Sequence, residues 1–203
     1  MVADDVGRRD LGRRAPLSRE SVLAEGVALA DEGGLAALSM RRLAGRLGVE
    51  AMSLYNHVSA KDDLLDGMVD LVAGEMALPA VGADWKAEMR ARATSAHAVL
   101  LRHPWSPLLF LSRINTGPAV LARLDATIGC LVNAGFSYAE ADHAWNAIDS
   151  HVFGFTLQML NFPFAPEEYA RMAAAYLPMV PEDRLPYMRA LTIEVAEGRH
   201  DGL

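Results

Sequence analysis

Cys130 is the single cysteine among 203 residues, so no disulfide can form within the chain, and a reducing, cytoplasmic setting is expected. In its apolar surroundings Cys130 reads as a small core residue. No stretch approaches the ~20 consecutive apolar residues of a membrane helix, and no secretory leader opens the sequence. Runs of β-branched residues are few, whereas Ala and Leu abound in a composition that is 52% hydrophobic, which points to packed helices. No internal repeat is present. His97, His103, His143 and His151 contain no H-x-x-x-H pair, so no metal is expected. Asp149, Ser150 and His151 are consecutive, and neighbours on a helix point about 100° apart, so they do not make a hydrolytic triad. Neither an enzyme nor a cofactor is expected.

A basic excess is also missing, since the formal charge is −7. Its distribution matters more than its sum. From Leu35 to Lys61 the ionised groups are Arg41, Arg42, Arg46 and Lys61 against Glu50, four positive and one negative, a local +3. Most acidic residues lie downstream.

That basic stretch has a definite pattern. Met40, Leu43, Ala44 and Leu47 recur at the spacing of one helical face, with Arg41, Arg42 and Arg46 on the other. Ser39 suits the N-cap and Gly48 the left-handed residue that ends the helix. After Val49 and Glu50, a second helix of about seven residues puts Ala51, Leu54 and Val58 inward. Met52, Ser53, Tyr55, Asn56 and His57 are left to meet something else. Two short amphipathic helices joined at a glycine form a helix-turn-helix, whose second helix fits a major groove about 12 Å wide. Ala51 and Met52 suit thymine methyls, Ser53 a base edge, and Tyr55, His57 and Lys61 phosphate oxygens.

Residues 1–17 lack periodicity and carry Arg8, Arg9, Arg13 and Arg14 among Asp4, Asp5 and Asp10. They read as a flexible basic arm, placed on DNA or left as a solvated tail. A helix from Ser18 to about Glu32 follows, stopped by Gly33-Gly34. An S-x-x-D box at Ser59 and Asp62 opens a linking helix over 60–77. Beyond Pro79 to Ala83 the spacing predicts helices at Trp85–Leu101, Trp105–Leu111, Pro118–Ala134, Glu167–Leu177 and Leu185–Gly198. The longest, opened by a Ser137/Glu140 box, runs to about Phe162. From Ala144 onward that helix is apolar nearly all round and must be covered on several sides.

The run LSMRRLAGRLGVEAMSLYNHVSAKDDLL resembles the DNA-binding domain of the tetracycline-repressor (TetR) family of transcriptional regulators, over about Ser18 to Ala77. AGFSYAEADHAWNAIDSHVFGF is similar, more loosely, to the family's C-terminal domain. The resemblance implies an all-α chain: a three-helix DNA-binding domain at 18–63, the linking helix, and a helical ligand-binding and dimerisation domain at 64–203. It places Ser39, Arg41, Ala51, Met52, Ser53, Tyr55, His57 and Lys61 at the DNA, with Asn56 standing where many relatives carry a bulky aromatic. It also implies that the long helix and the last one build a four-helix dimer interface. In the founding member a histidine after the fifth helix helps hold a drug-bound magnesium. The corresponding loop here, Ser112 to Thr116, has none.

Function follows as an expectation. A homodimer would bind a palindromic operator and be released by a small, largely apolar effector. The effector site is expected among Trp105, Phe110, Trp145, Phe155, Met159 and Phe162, with His97, His103, Asn115 and Asp149 as polar partners. Ile148, Val152, Phe155 and Met159 are expected at the dimer interface. The alternative is a helical ligand carrier or enzyme that merely contains a helical hairpin.

Overall fold

The computed structural model describes residues 16–200, and every regular element among them is helical. The basic arm expected at 1–17 therefore lies outside the described residues except for Pro16 and Leu17. The ten α-helices are α1 (Arg19–Ala37), α2 (Met40–Leu47), α3 (Ala51–Leu54), α4 (Lys61–Gly74), α5 (Trp85–Arg102), α6 (Ser106–Ser112), α7 (Pro118–Asn133), α8 (Tyr138–Asn161), α9 (Tyr169–Tyr176) and α10 (Pro186–Ala196). Short 3₁₀ turns at Pro166–Glu168 and Leu177–Met179 flank α9. No described helix is long and apolar enough to cross a membrane. Contacts divide the chain inside α8, between Trp145 and Asn146, so the helix-turn-helix and α5–α7 share one compact unit.

In the first unit, Leu29 of α1, Leu43 of α2, Leu54 of α3 and Leu64, Met68, Val69 and Val72 of α4 are all fully buried. Burial of a leucine-sized side chain contributes about 1.5–3 kcal/mol, and this cluster is what aims the short α3. α1 and α4 approach closely because Gly26 has no side chain: a Cβ there would stand 3.0 Å from Met68 Sδ. The regular part of α1 ends where the sequence expects, since Gly33 leaves helical geometry and Gly34 takes φ of 68°. Ser18 caps it, accepting from Ser21 N–H. The Ser137/Glu140 box opens α8 as expected, with Ser137 N–H donating to Glu140 Oε2 at 2.8 Å.

Two local expectations need correction. α3 is a helix of four residues rather than about seven, because Tyr55, Asn56 and His57 close tighter i→i+3 bonds to Met52, Ser53 and Leu54. Arg19 of α1 donates to the His57 carbonyl at 2.8 Å, just past this turn. The box that opens α4 runs through Asp63 instead of Asp62: Asp63 accepts from Ser59 N–H at 2.7 Å and Ser59 Oγ–H at 3.1 Å. The helix starts at Lys61, so Asp63 is its third residue.

In the second unit α9 packs on α10, and the proline-flanked breaks at Pro178 and Pro186 bound both helices.

Candidate nucleic-acid interface and its joints

The helix-turn-helix forms as its sequence dictates. Ser39 caps α2 by accepting from Arg42 N–H at 3.2 Å, and Gly48 ends it at φ 69°, ψ 36°. Leu54 and Val58 are buried against the unit while Met52, between them and the turn, is 75% exposed. Around it Ser39, Arg41, Tyr55, Asn56 and Lys61 are exposed, and Ala51, Ser53 and His57 half-buried. All nine DNA residues expected from the sequence therefore lie on the connected stretch from α2 to the start of α4.

The charge of this surface differs from the simple sum. Arg46 turns back onto α1, donating from Nε to Glu25 at 2.7 Å and from NH1 to Glu32 at 2.7 Å, and both carboxylates hold its pKa above the ordinary arginine value. It is withdrawn from the reading surface. Arg41, Arg42 and Lys61 make no ion pair among the described residues and supply the outward charge.

Three polar joints tie this reader to the helices that follow. At the first, Arg113 in the α6–α7 loop grips Asp66 at 2.7 Å and Asp62 at 3.1 Å on α4. At the second, Asp70 Oδ1 on α4 accepts from Ala119 and Val120 N–H at 2.8 and 3.0 Å, capping α7 from outside. At the third, Asp31 Oδ1 on α1 accepts from Trp105 Nε1–H at 2.6 Å and sits 2.8 Å from His103 Nδ1. Glu75, just past α4, meets His103 Nε2 at 3.2 Å and Arg102 at 2.5 Å.

The residues expected to bind an effector are dispersed among several tasks. His103 and Trp105 are buried with their polar atoms engaged by Asp31 and Glu75, which makes them part of the third joint. Asn115 donates from Nδ2 to the carbonyls of Phe110 and Arg113 and so braces the α6–α7 loop. His97 and Trp145 are half-buried in the first unit; Asp149 and Met159 are half-buried in the second. Of the residues expected at a dimer interface, Ile148, Phe155 and Met159 are half-buried, but Val152 is only 5% exposed within the single chain. Val152 has little area left for a partner. No cluster of three or more His, Cys, Asp or Glu able to hold a metal occurs among the described residues.

Sequence reading missed a cavity in the second unit. It measures about 400 Å³ and is walled by Phe162, Phe164, Tyr169, Met172, Met188 and Leu191 with their neighbours, none of them charged. Phe162 stands edge-on to Phe164 and to Tyr169, at 6.0 and 5.2 Å between ring centres. The signal was present in the aromatic run Phe162-Pro163-Phe164. Of these walls, the sequence points only to Phe162 as effector-facing.

Comparison with known proteins supplies the family. Residues 22–68 match the model of bacterial regulatory proteins of the tetR family, and residues 78–198 that of the tetracyclin repressor-like C-terminal domain. An HTH-type transcriptional regulator of Saccharopolyspora erythraea is 40% identical over 139 residues, 68% of this chain and 59% of that protein. The chain thus spans about three fifths of that relative's length. The class D tetracycline repressor protein of Escherichia coli is 30% identical over 164 residues, covering 76% of this chain and 75% of the repressor. Among solved structures, the TetR family protein ActR of Streptomyces coelicolor, in complex with actinorhodin, superposes with a TM-score of 0.78 at 26% identity, over 88% of this chain and 85% of ActR. With both halves matched in order and most of the chain covered, the chain belongs to the tetR family of bacterial regulatory proteins.

Proposed function

We propose that this chain is a ligand-responsive repressor that binds a palindromic operator as a homodimer and leaves it when a small, largely apolar molecule enters its C-terminal domain. The observation that carries the reading is the exposed row Ser39, Arg41, Met52, Tyr55, Asn56 and Lys61 around the buried anchors Leu54 and Val58. A four-residue α3 is about 6 Å long and reaches few base pairs, so one reader alone has little specificity. Two readers on a two-fold axis would enter successive major grooves about 34–36 Å apart.

The second copy has a surface to meet. On α10, Tyr187, Met188 and Leu191 fall on one stripe and are 89, 55 and 48% exposed. With the half-buried Ile148, Phe155 and Met159 of α8, they supply the apolar area that a dimer would cover. For the effector, the uncharged cavity beside Phe162 and Tyr169 suits a largely apolar molecule. ActR, similar in fold, is known in complex with actinorhodin, which supports a small-molecule effector here.

Selection of protein-bound fragments from random genomic DNA tests the reading. Recovery of a shared inverted repeat, bound with affinity that falls steeply as salt rises, is the expected result. Binding without sequence preference at any salt concentration would overturn it.

A further inference from the structure

We propose that Asp31, His103 and Glu75 form a proton-dependent latch that positions the DNA-reading helices on the C-terminal domain, closed when the His103 ring carries two protons and opened when it loses one.

The argument begins with acceptors. Asp31 comes from α1, within the DNA-binding domain, and its Oδ1 already accepts the Trp105 indole N–H at 2.6 Å. An ionised carboxylate has no proton to give, so His103 Nδ1, 2.8 Å from that oxygen, must donate. Glu75 lies at the end of α4 and accepts from Arg102. Burial pushes its pKa up, but Arg102 and His103 outweigh burial and hold it below the ordinary glutamate value. Glu75 is therefore also an acceptor, and His103 Nε2, 3.2 Å away, must donate to it. A neutral imidazole carries one N–H and can make one of these two bonds, whereas the imidazolium makes both.

Charge points the same way. The groups that face the ring are Asp31 from α1, Glu75 from α4, Arg102 from α5 and the neutral Trp105 indole before α6. With the imidazolium the cluster sums to zero, and with a neutral ring it carries one uncompensated negative charge. His103 is 7% exposed, so water screens little of that difference. Beside the latch an open groove of about 300 Å³, lined by Asp31, Gly34, Leu35, Pro104 and Leu108, brings solvent to the Asp31 carboxylate. The helical break at Gly33 and Gly34 begins two residues after Asp31, so the end of α1 can shift once the ring's bond to Asp31 is lost. A partner that stabilises the charged ring contributes at low pH, and its contribution fades as pH rises.

Structural and functional arms separate the latch from the regulator reading on which its role in DNA binding rests. In ¹⁵N-histidine-labelled protein compared at an acid and an alkaline pH, the His103 ring should carry two protons at the first and one at the second. Hydrogen exchange at Leu29 to Glu32, corrected for intrinsic rate, should quicken about tenfold from the first to the second. In His103→Gln, which keeps one pH-independent donor, the exchange should be flat. A ring with one proton throughout, or an equal change in His103→Gln, overturns the latch. For DNA, the affinity of wild type relative to His103→Gln for a selected fragment, at fixed ionic strength, should change severalfold between the two pH values. His57 is common to both proteins and cancels in this ratio. A constant ratio overturns the positioning role. Should no DNA bind, the regulator reading fails while the ring signals and exchange still decide the latch.

Discussion

Asp70 can cap α7 only because residue 117 is glycine. A Cβ on Gly117 would overlap the Asp70 carboxylate, which lies against that backbone to accept from Ala119 and Val120. Gly117 is itself the N-cap and has no side chain to offer, and Pro118 at the first helical position has no N–H to satisfy. The next two amides are served by an acid from α4, and its charge also complements the positive end of α7. The linking helix is thereby fastened to the C-terminal domain by its middle as well as by its end.

Gly117→Ala should therefore destabilise the protein by about 2 kcal/mol, the loss of a cap together with two half-buried amides left without their acceptor. Asp70→Asn keeps an acceptor and should cost less than about 1 kcal/mol. Urea denaturation checks both, and equal losses in the two variants would contradict the cap.

The Arg19–Asp63 pair gives a prediction in pH. Arg19 donates to Asp63, and Ser59 N–H adds a second bond, which together lower the Asp63 pKa to about 2. An acid depressed in the folded state stabilises it above its unfolded value, near about pH 4, and that benefit is lost as pH falls through the folded value. Asp63→Ala should lower the melting temperature at neutral pH by the equivalent of about 0.5–1 kcal/mol, modest because the pair is partly exposed. The gap between wild type and variant should narrow below about pH 4 and close near about pH 2. A gap independent of pH would assign the loss to packing.

Local rules carry sequence reading a long way in this chain. Ser18, Ser39, Gly48 and the Ser137/Glu140 box each act within four residues of themselves, and each does what its spacing predicts. The joints are different in kind. Asp31 meets Trp105 across 74 residues, Asp70 meets Ala119 across 49, and Arg46 finds Glu25 across 21. Periodicity says nothing about such partners, so Arg46 counts toward the outward charge and His103 reads as an effector contact until the helices are packed. Arg19 likewise reaches the His57 carbonyl from 38 residues away.

Dimerisation should be tested on α10. Val152→Asp would place a charge in the chain's own interior, where Val152 is buried, and its effect on assembly could not be told from unfolding. Tyr187→Asp and Leu191→Asp alter exposed residues and should leave the helical content and folding of the protomer nearly unchanged. Ultracentrifugation at micromolar concentration should show a dimer for wild type and a large shift toward monomer for the pair of substitutions. An unaltered dimer would move the interface away from α10.

The reading surface divides into residues that position and residues that discriminate, and this division is the sharpest test of the proposed function. Lys61 and Tyr55 are exposed and offer a charge and a hydroxyl suited to phosphate. Lys61→Ala should weaken all duplexes alike and reduce the salt dependence by about one counterion per reader. Tyr55→Phe, which removes only the hydroxyl, should likewise weaken binding without changing preference. Ser53 and Met52 sit at the start of α3 beside the buried Leu54, where side chains reach base edges. Ser53→Ala and Met52→Ala should therefore alter which sequences are selected, at a cost of about 1–3 kcal/mol against the wild-type operator and little against random DNA. Arg46→Ala is the internal control. Because Arg46 is bound to Glu25 and Glu32, its loss should lower thermal stability slightly and leave the salt dependence of DNA binding as it was. If Arg46→Ala reduces that dependence as much as Lys61→Ala does, the α1 carboxylates release Arg46 to the phosphates when DNA binds, and the outward charge assigned to Arg41, Arg42 and Lys61 alone is incomplete.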